Sequence, residues 1–214
     1  MTAKKHGLKK IKDKAEQIFH LLRYGLVLLL LWGGWSLWHT DAVQMRFVYM
    51  WPYQQTIVEY SERNQVDPFL IAAIIKNESN FQQQAVSEVG AIGLMQIMPV
   101  TGAWIAQEMG MEDYQEHYLY RTKTNIRMGC WYLGELQYEF QNNPTLMIMA
   151  YNAGRGQTKH WMEEHGWDYS FQDVEAIPFA DTREYVSKVL QDRSNYYRLY
   201  CNEIKKQSFL AKKS

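Results

Sequence analysis

Glu78 stands where a carboxyl group is hard to keep charged. In the run FLIAAIIKNES, Ile71, Ile74, Ile75 and Glu78 fall at i, i+3, i+4 and i+7. One helical face therefore carries three isoleucines and then a carboxylate. Burial and the negative end of the helix dipole both disfavour the ionised form and raise its pKa. A carboxyl group that keeps its proton near neutral pH is suited to general acid catalysis. The competing placement is at the surface of a fraying helix end. Other chemistries fail on spacing. His160 and His165 are five positions apart, on different helix faces, and no HExxH or HxxEH pattern is present. The sequence has no GxSxG elbow, and Gly154-Arg155-Gly156 lacks the third glycine and preceding strand of a nucleotide loop. Neither a metal nor a cofactor is expected.

The residues after Glu78 sharpen this reading. They run ESNFQQQAVSEVGAIGLMQIMP. Further along stand Asn125-Ile126 and Gly129, Ala150-Tyr151-Asn152-Ala153-Gly154, Ile177-Pro178-Phe179, and Thr182-Arg183-Glu184-Tyr185-Val186. In order and spacing, over about residues 55–200, this series resembles the lytic transglycosylases that carry an SLT-type domain. The resemblance implies a mostly α, lysozyme-like (goose-type/SLT) fold. It implies that Glu78 is the single catalytic glutamate and that Ser87, Met95 and Gln96 line sugar subsites. It also puts Tyr151 near the catalytic carboxyl, with Asn152 as an adjacent polar residue, and makes Tyr185 structural support. Asp181 departs from the Glu that relatives commonly carry before Thr-Arg. Residue chemistry fits these places: Met95 offers a soft apolar surface, Gln96 both donates and accepts, and the Tyr151 hydroxyl can orient a carboxyl. Gly90 and Gly93 let backbone approach a ligand closely.

The elements that must position these groups are helical. Gln54–Asn64 reads as a short amphipathic segment. Asp67-Pro68 supplies an N-cap and a proline at the first helical position of the Glu78 helix. Residues 82–93 form a loop. Helices follow from Pro99 toward Met109, over Thr124–Phe140, from Pro144 to a stop at Gly154, and over Asp181–Tyr200. Cys130 and Cys201 are too few for a disulfide scaffold; they could pair outside the cytoplasm or stay as two buried thiols.

The first forty residues have a different character. Residues 1–25 hold Lys4, Lys5, Lys9, Lys10, Lys12, Lys14 and Arg23 against Asp13 and Glu16, although the 214-residue chain has a formal net charge of zero. That balance argues against a nucleic-acid partner. Leu21–Trp38, LLRYGLVLLLLWGGWSLW, follows with Arg23 as its only charge. As a helix it reaches about 27 Å at ~1.5 Å per residue, near the thickness of a bilayer's hydrocarbon core. Trp32, Trp35 and Trp38 gather at the far end, as interfacial aromatics do. A cleaved signal peptide is the rival, because Gly34-Trp35-Ser36 places small residues two apart, but bulky neighbours crowd that site.

The expected organisation is a basic cytoplasmic segment at 1–20 and an anchor or signal segment at 21–38. An extracytoplasmic SLT domain at 41–204 and a basic, frayed tail at 205–214 follow. The chain is thus expected at the cytoplasmic membrane, single-pass, N-terminus inside, with an exported form if the segment is cleaved. Its expected partners are peptidoglycan glycan strands, the membrane and an unidentified cell-wall machine. The expected reaction is non-hydrolytic cleavage of the MurNAc–GlcNAc β-1,4 bond to leave 1,6-anhydro-MurNAc ends. That product is inferred from the missing second carboxylate together with the resemblance. The alternatives are a hydrolysing goose-type lysozyme and an inactive glycan-binding module.

Overall fold

The computed structural model describes the backbone of residues 2–211 and the side chains of residue 17 and residues 19–206. It divides into two compact units, one up to Met50 and one from Trp51 on.

The first unit is dominated by α1, Thr2–Trp38. The basic segment and the apolar segment are one continuous helix, because the lysines before residue 15 are good helix formers and no Gly-Pro break separates the two. Phe19–Trp38 is long and apolar enough to cross a membrane, and none of it is buried. The helix ends in a turn in which the Thr40 hydroxyl donates to the Leu37 carbonyl at 2.7 Å. A single turn, α2 (Asp41–Val43), and a π-helical turn over Gln44–Val48 follow.

The second unit is helical throughout. Helices α3 (Gln54–Asn64), α4 (Pro68–Ser79), α5 (Pro99–Glu108), α6 (Thr122–Glu139), α7 (Pro144–Ala153), α8 (Arg155–His165) and α9 (Ala180–Ala211) follow in order. Among the described residues there is no strand, only isolated bridges pairing Ile92 with Val86 and with Ile97. The last helix runs eleven residues past the expected end at Tyr200, and so through most of the expected tail; residues 212–214 of that tail lie outside the described residues.

Helix α4 is the centre of this unit. Asp67 caps it, its Oδ1 accepting from the Phe69 N–H at 2.9 Å, and Pro68 fills the first turn. Ile71, Ala72, Ala73, Ile74 and Ile75 are fully buried, and each buried isoleucine contributes roughly 1.5–3 kcal/mol. The helix packs mainly on α9 and α3. Polar ties run along the α9 contact. Arg193 Nε lies 2.5 Å from Asp67 Oδ2, and Asp192 Oδ2 accepts from Lys76 Nζ at 2.8 Å and from Asn77 Nδ2 at 2.9 Å. Directly behind Glu78, Asn80 (φ 48°) and Phe81 (φ 61°) turn left-handed and end the helix. A bulky residue in that region is uncommon and marks a backbone held by its surroundings.

Candidate active site

Glu78 sits on the last turn of α4, half-buried, facing α9. The Tyr185 hydroxyl donates to its Oε1 at 2.6 Å. Burial pushes the carboxyl up to about 7, with the Tyr185 hydrogen bond pulling the other way. The direction is the one the isoleucine stripe predicts. Among the described residues no second carboxylate bears on Glu78. Glu88 and Asp181 are both exposed, away from any such pairing. Tyr185 itself is held well above the ordinary phenol range, by burial first and then by the negative charge of Glu78. It therefore stays protonated and acts as a donor.

The loop between α4 and α5 is tied to the same end of α4. Its backbone is fixed by side chains from the helices around it. The buried Asn125 of α6 accepts from the Met95 N–H at 2.8 Å and donates to the carbonyls of Ile92 at 3.0 Å and Leu119 at 2.8 Å. Ser79, next to Glu78, donates to the Leu94 carbonyl at 2.8 Å. Tyr151 of α7 donates to the Met95 carbonyl at 2.7 Å. Gly93 makes this possible: its φ is +79°, and a Cβ there would lie 2.5 Å from both Asn125 Nδ2 and the Leu119 oxygen. Gln96 also adopts a positive φ, 47°.

Met95 faces another way than the resemblance implies. Met95 is fully buried, and a Cβ on Gly129 would come within 2.2 Å of its sulfur. Its side chain fills the core, so only its backbone faces the loop network; the apolar sugar platform expected of it is not there. Tyr151 lies near Glu78, but its hydroxyl donates to the Met95 carbonyl, and the hydrogen bond to the carboxyl comes from Tyr185, expected as support. Ser87 closes a tight turn, its Oγ accepting from the Ala91 N–H at 2.9 Å. The Gln96 side chain donates to the Gly93 carbonyl at 2.9 Å and the Ala85 carbonyl at 3.2 Å. Gln96, Tyr151 and the exposed Asn152 come together around a cavity of about 260 Å³, with Met98, Thr101, Ile105, Tyr132 and Gly154. Asn125, which holds the loop, and Tyr132, in the cavity wall, carry no sequence signal beyond the place of Asn125 in the motif series. Cys130 and Cys201 are both free thiols, and burial raises the Cys130 thiol. His160 and His165 both approach Glu164 at the solvent-facing side of α8.

Comparison with known proteins settles the family. The model of the Transglycosylase SLT domain matches residues 55–173. The chain belongs to the SLT transglycosylase family. Over 170 residues it is 34% identical to the soluble lytic murein transglycosylase of Salmonella typhimurium, covering 78% of this chain and 26% of that protein. It is 32% identical over 168 residues to membrane-bound lytic murein transglycosylase C of Actinobacillus pleuropneumoniae, covering 69% of this chain and 46% of the relative. The fold matches the crystal structure of an inactive glutamate-to-glutamine mutant of Pseudomonas aeruginosa lytic transglycosylase Slt. That match has a TM-score of 0.66 at 30% identity and covers 73% of this chain and 25% of the other. The SLT chain thus spans about a quarter of the length of the soluble relatives it matches. Its SLT fold is lysozyme-like, as the motif series implies.

Proposed function

We propose that this SLT chain is a peptidoglycan lytic transglycosylase that cleaves the MurNAc–GlcNAc β-1,4 bond without water. The observation that carries the proposal is Glu78: one buried carboxyl, protonated up to about pH 7, held at one oxygen by Tyr185 and without a carboxylate partner among the described residues. Hydrolysing glycosidases usually need two carboxylates about the scissile bond, one as acid and the other as base or nucleophile. A single carboxyl can serve both steps when the substrate supplies its own nucleophile.

Tyr185 binds Oε1, which leaves Oε2 to carry the proton. Glu78 gives that proton to the glycosidic oxygen as the C1–O bond breaks and the GlcNAc-bearing strand leaves. The 2-acetamido oxygen of MurNAc stabilises the positive charge at C1. Glu78, now a carboxylate, accepts the proton of the C6 hydroxyl as O6 bonds to C1. The site returns to its starting protonation state, and the product carries a 1,6-anhydro ring. The names of the relatives support murein as the substrate class.

The apolar stretch Phe19–Trp38, behind a basic flank, supports a retained membrane anchor with its N-terminus in the cytoplasm and the catalytic unit outside. One pair of assays tests the proposal. Purified full-length protein should release soluble glycan fragments from sacculi, and the protein in cells should sediment with membranes and retain residues 1–38. Absence of fragments rejects the enzyme, and a soluble product that begins near Leu37 rejects the anchor.

A further inference from the structure

Beside the Glu78 site, the wall of the cavity continues into a cationic corner that the proposed reaction does not use. Tyr151 and Tyr132 both line the cavity. Their ring centroids are 5.8 Å apart, Tyr132 lies 6.0 Å from Trp104, and the Arg155 guanidinium carbon lies 5.5 Å from the Trp104 centroid. Arg155 directly follows Gly154, itself part of the cavity wall. Glu139, at the end of α6, pairs with Arg155 Nε through one oxygen and with Lys159 Nζ at 2.5 Å through the other. Burial acts to raise the Glu139 carboxyl, but the two cations outweigh it and keep it ionised. Two cations on one carboxylate leave a net positive charge beside the cavity.

The arrangement presents Arg155 to a ligand. Its Nε is committed to Glu139, and the Trp104 face supports the guanidinium plane. Among the described residues neither of its Nη nitrogens has a hydrogen-bond partner. Its side chain is 36% exposed. Lys159 independently ties α8 to Glu139, so the tie between α8 and the end of α6 does not depend on Arg155 alone. An oriented guanidinium with both Nη groups available is suited to bidentate binding of a carboxylate.

Resting on the peptidoglycan reading, we infer that Arg155 binds a carboxylate carried on the 3-O-lactyl arm of MurNAc and thereby selects which glycan strands enter the site. The carboxylate is either that of the bare lactyl group or one on an attached stem peptide. Both present the same chemistry to the guanidinium, and they are separable by substrate.

The test uses the full chain and four defined MurNAc–GlcNAc oligosaccharides. These are a free lactyl carboxylate, its amide, a short stem with free carboxylates, and that stem fully amidated. Cleavage gives kcat and KM. Calorimetric Kd values are measured in the Glu78→Gln background, where strands are bound but not cut. Arg155→Gln should lower the preference for the charged over the amidated strand about tenfold, in KM and in Kd, with kcat changed far less. Arg155→Lys should retain part of that preference. A shift confined to the lactyl pair identifies the bare arm, and one confined to the stem pair identifies the peptide. Equal shifts for charged and amidated strands, or none, overturn the inference and leave Arg155 as a structural tie. If the wild-type protein cuts none of the strands, the enzymatic reading fails, while the Kd values still decide the role of Arg155.

Discussion

Tyr185 on α9 and Tyr151 on α7 are both phenols near Glu78, yet one hydroxyl ends on the carboxyl and the other on the backbone of the loop. The α9 wall acts on the Glu78 carboxyl, fixing one of its oxygens and lowering the proton affinity that burial raises. The loop wall, held by Tyr151, Asn125 and Ser79 through main-chain atoms, shapes the space where a strand would lie. Both phenols are raised first by their own burial and next by the negative charge of Glu78. Similar residues at similar depth thus take different roles according to what their hydroxyls reach. Perturbing the two walls separately should give different signatures.

The largest effect comes from removing what both walls serve. Glu78→Gln keeps the shape and loses the proton, so sacculus-digesting activity should fall by at least ~10⁴-fold. Stability should move the other way. The folded carboxyl titrates near 7, above the ~4.3 of an unfolded glutamate. The stabilisation from binding that proton is complete below about pH 4.3 and is lost as pH rises through about 7. The amide has no such loss. Relative to wild type, the variant should therefore gain stability between pH 4 and pH 8, by on the order of 3 kcal/mol. Denaturant melts at the two pH values measure it, and a pH-independent difference would contradict the buried carboxyl.

Breaking the loop wall comes next. Gly93→Ala would force a side chain onto a backbone at φ +79° and against the Leu119 carbonyl. It should cost about 2–4 kcal/mol and lower the melting temperature accordingly. An unchanged melting temperature would show that the loop is not held as described.

The two tyrosines then separate the walls. Tyr185→Phe removes the hydrogen bond that favours the carboxylate, so the Glu78 pKa should rise further. The alkaline limb of the pH–rate profile should move above 7, and kcat should fall roughly 10–100-fold as the carboxyl loses its fixed orientation. Tyr151→Phe frees the Met95 carbonyl and loosens the loop. It should raise KM several-fold, with an effect of about 1 kcal/mol, and leave the alkaline limb in place. A pH shift in the Tyr151 variant and not in the Tyr185 variant would reverse the assignment.

The comparison also shows what a sequence can carry. The isoleucine spacing revealed the Glu78 face, and Asp67-Pro68 marked the start of its helix, because both signals are local. Motif order carried the family. The partner of a tyrosine hydroxyl is another matter. Tyr185 reaches Glu78 across 107 positions of chain, and nothing near either residue encodes that meeting. Met95 shows the same limit. A motif fixes the residue at a position but does not say whether its side chain or its backbone faces the ligand. The value of Asn125 lies in three backbone groups that converge only once the loop has folded. The continuation of α1 upstream of Leu21 was hidden for a simpler reason. Its charge dominates the segment, and the helical spacing of Leu8, Ile11, Ala15 and Ile18 among lysines that favour helix is easily passed over.

The central claim is that one carboxyl and the substrate's own C6 hydroxyl complete the reaction. Digestion of sacculi in ¹⁸O-labelled water, followed by mass analysis of the new termini, tests it most directly. The account predicts MurNAc ends that carry no ¹⁸O, are lighter by one water than hydrolysed ends, and resist borohydride reduction. Reducing ends that contain ¹⁸O would contradict it, make the protein a hydrolase, and turn attention to Glu88 and Asp181 as the base.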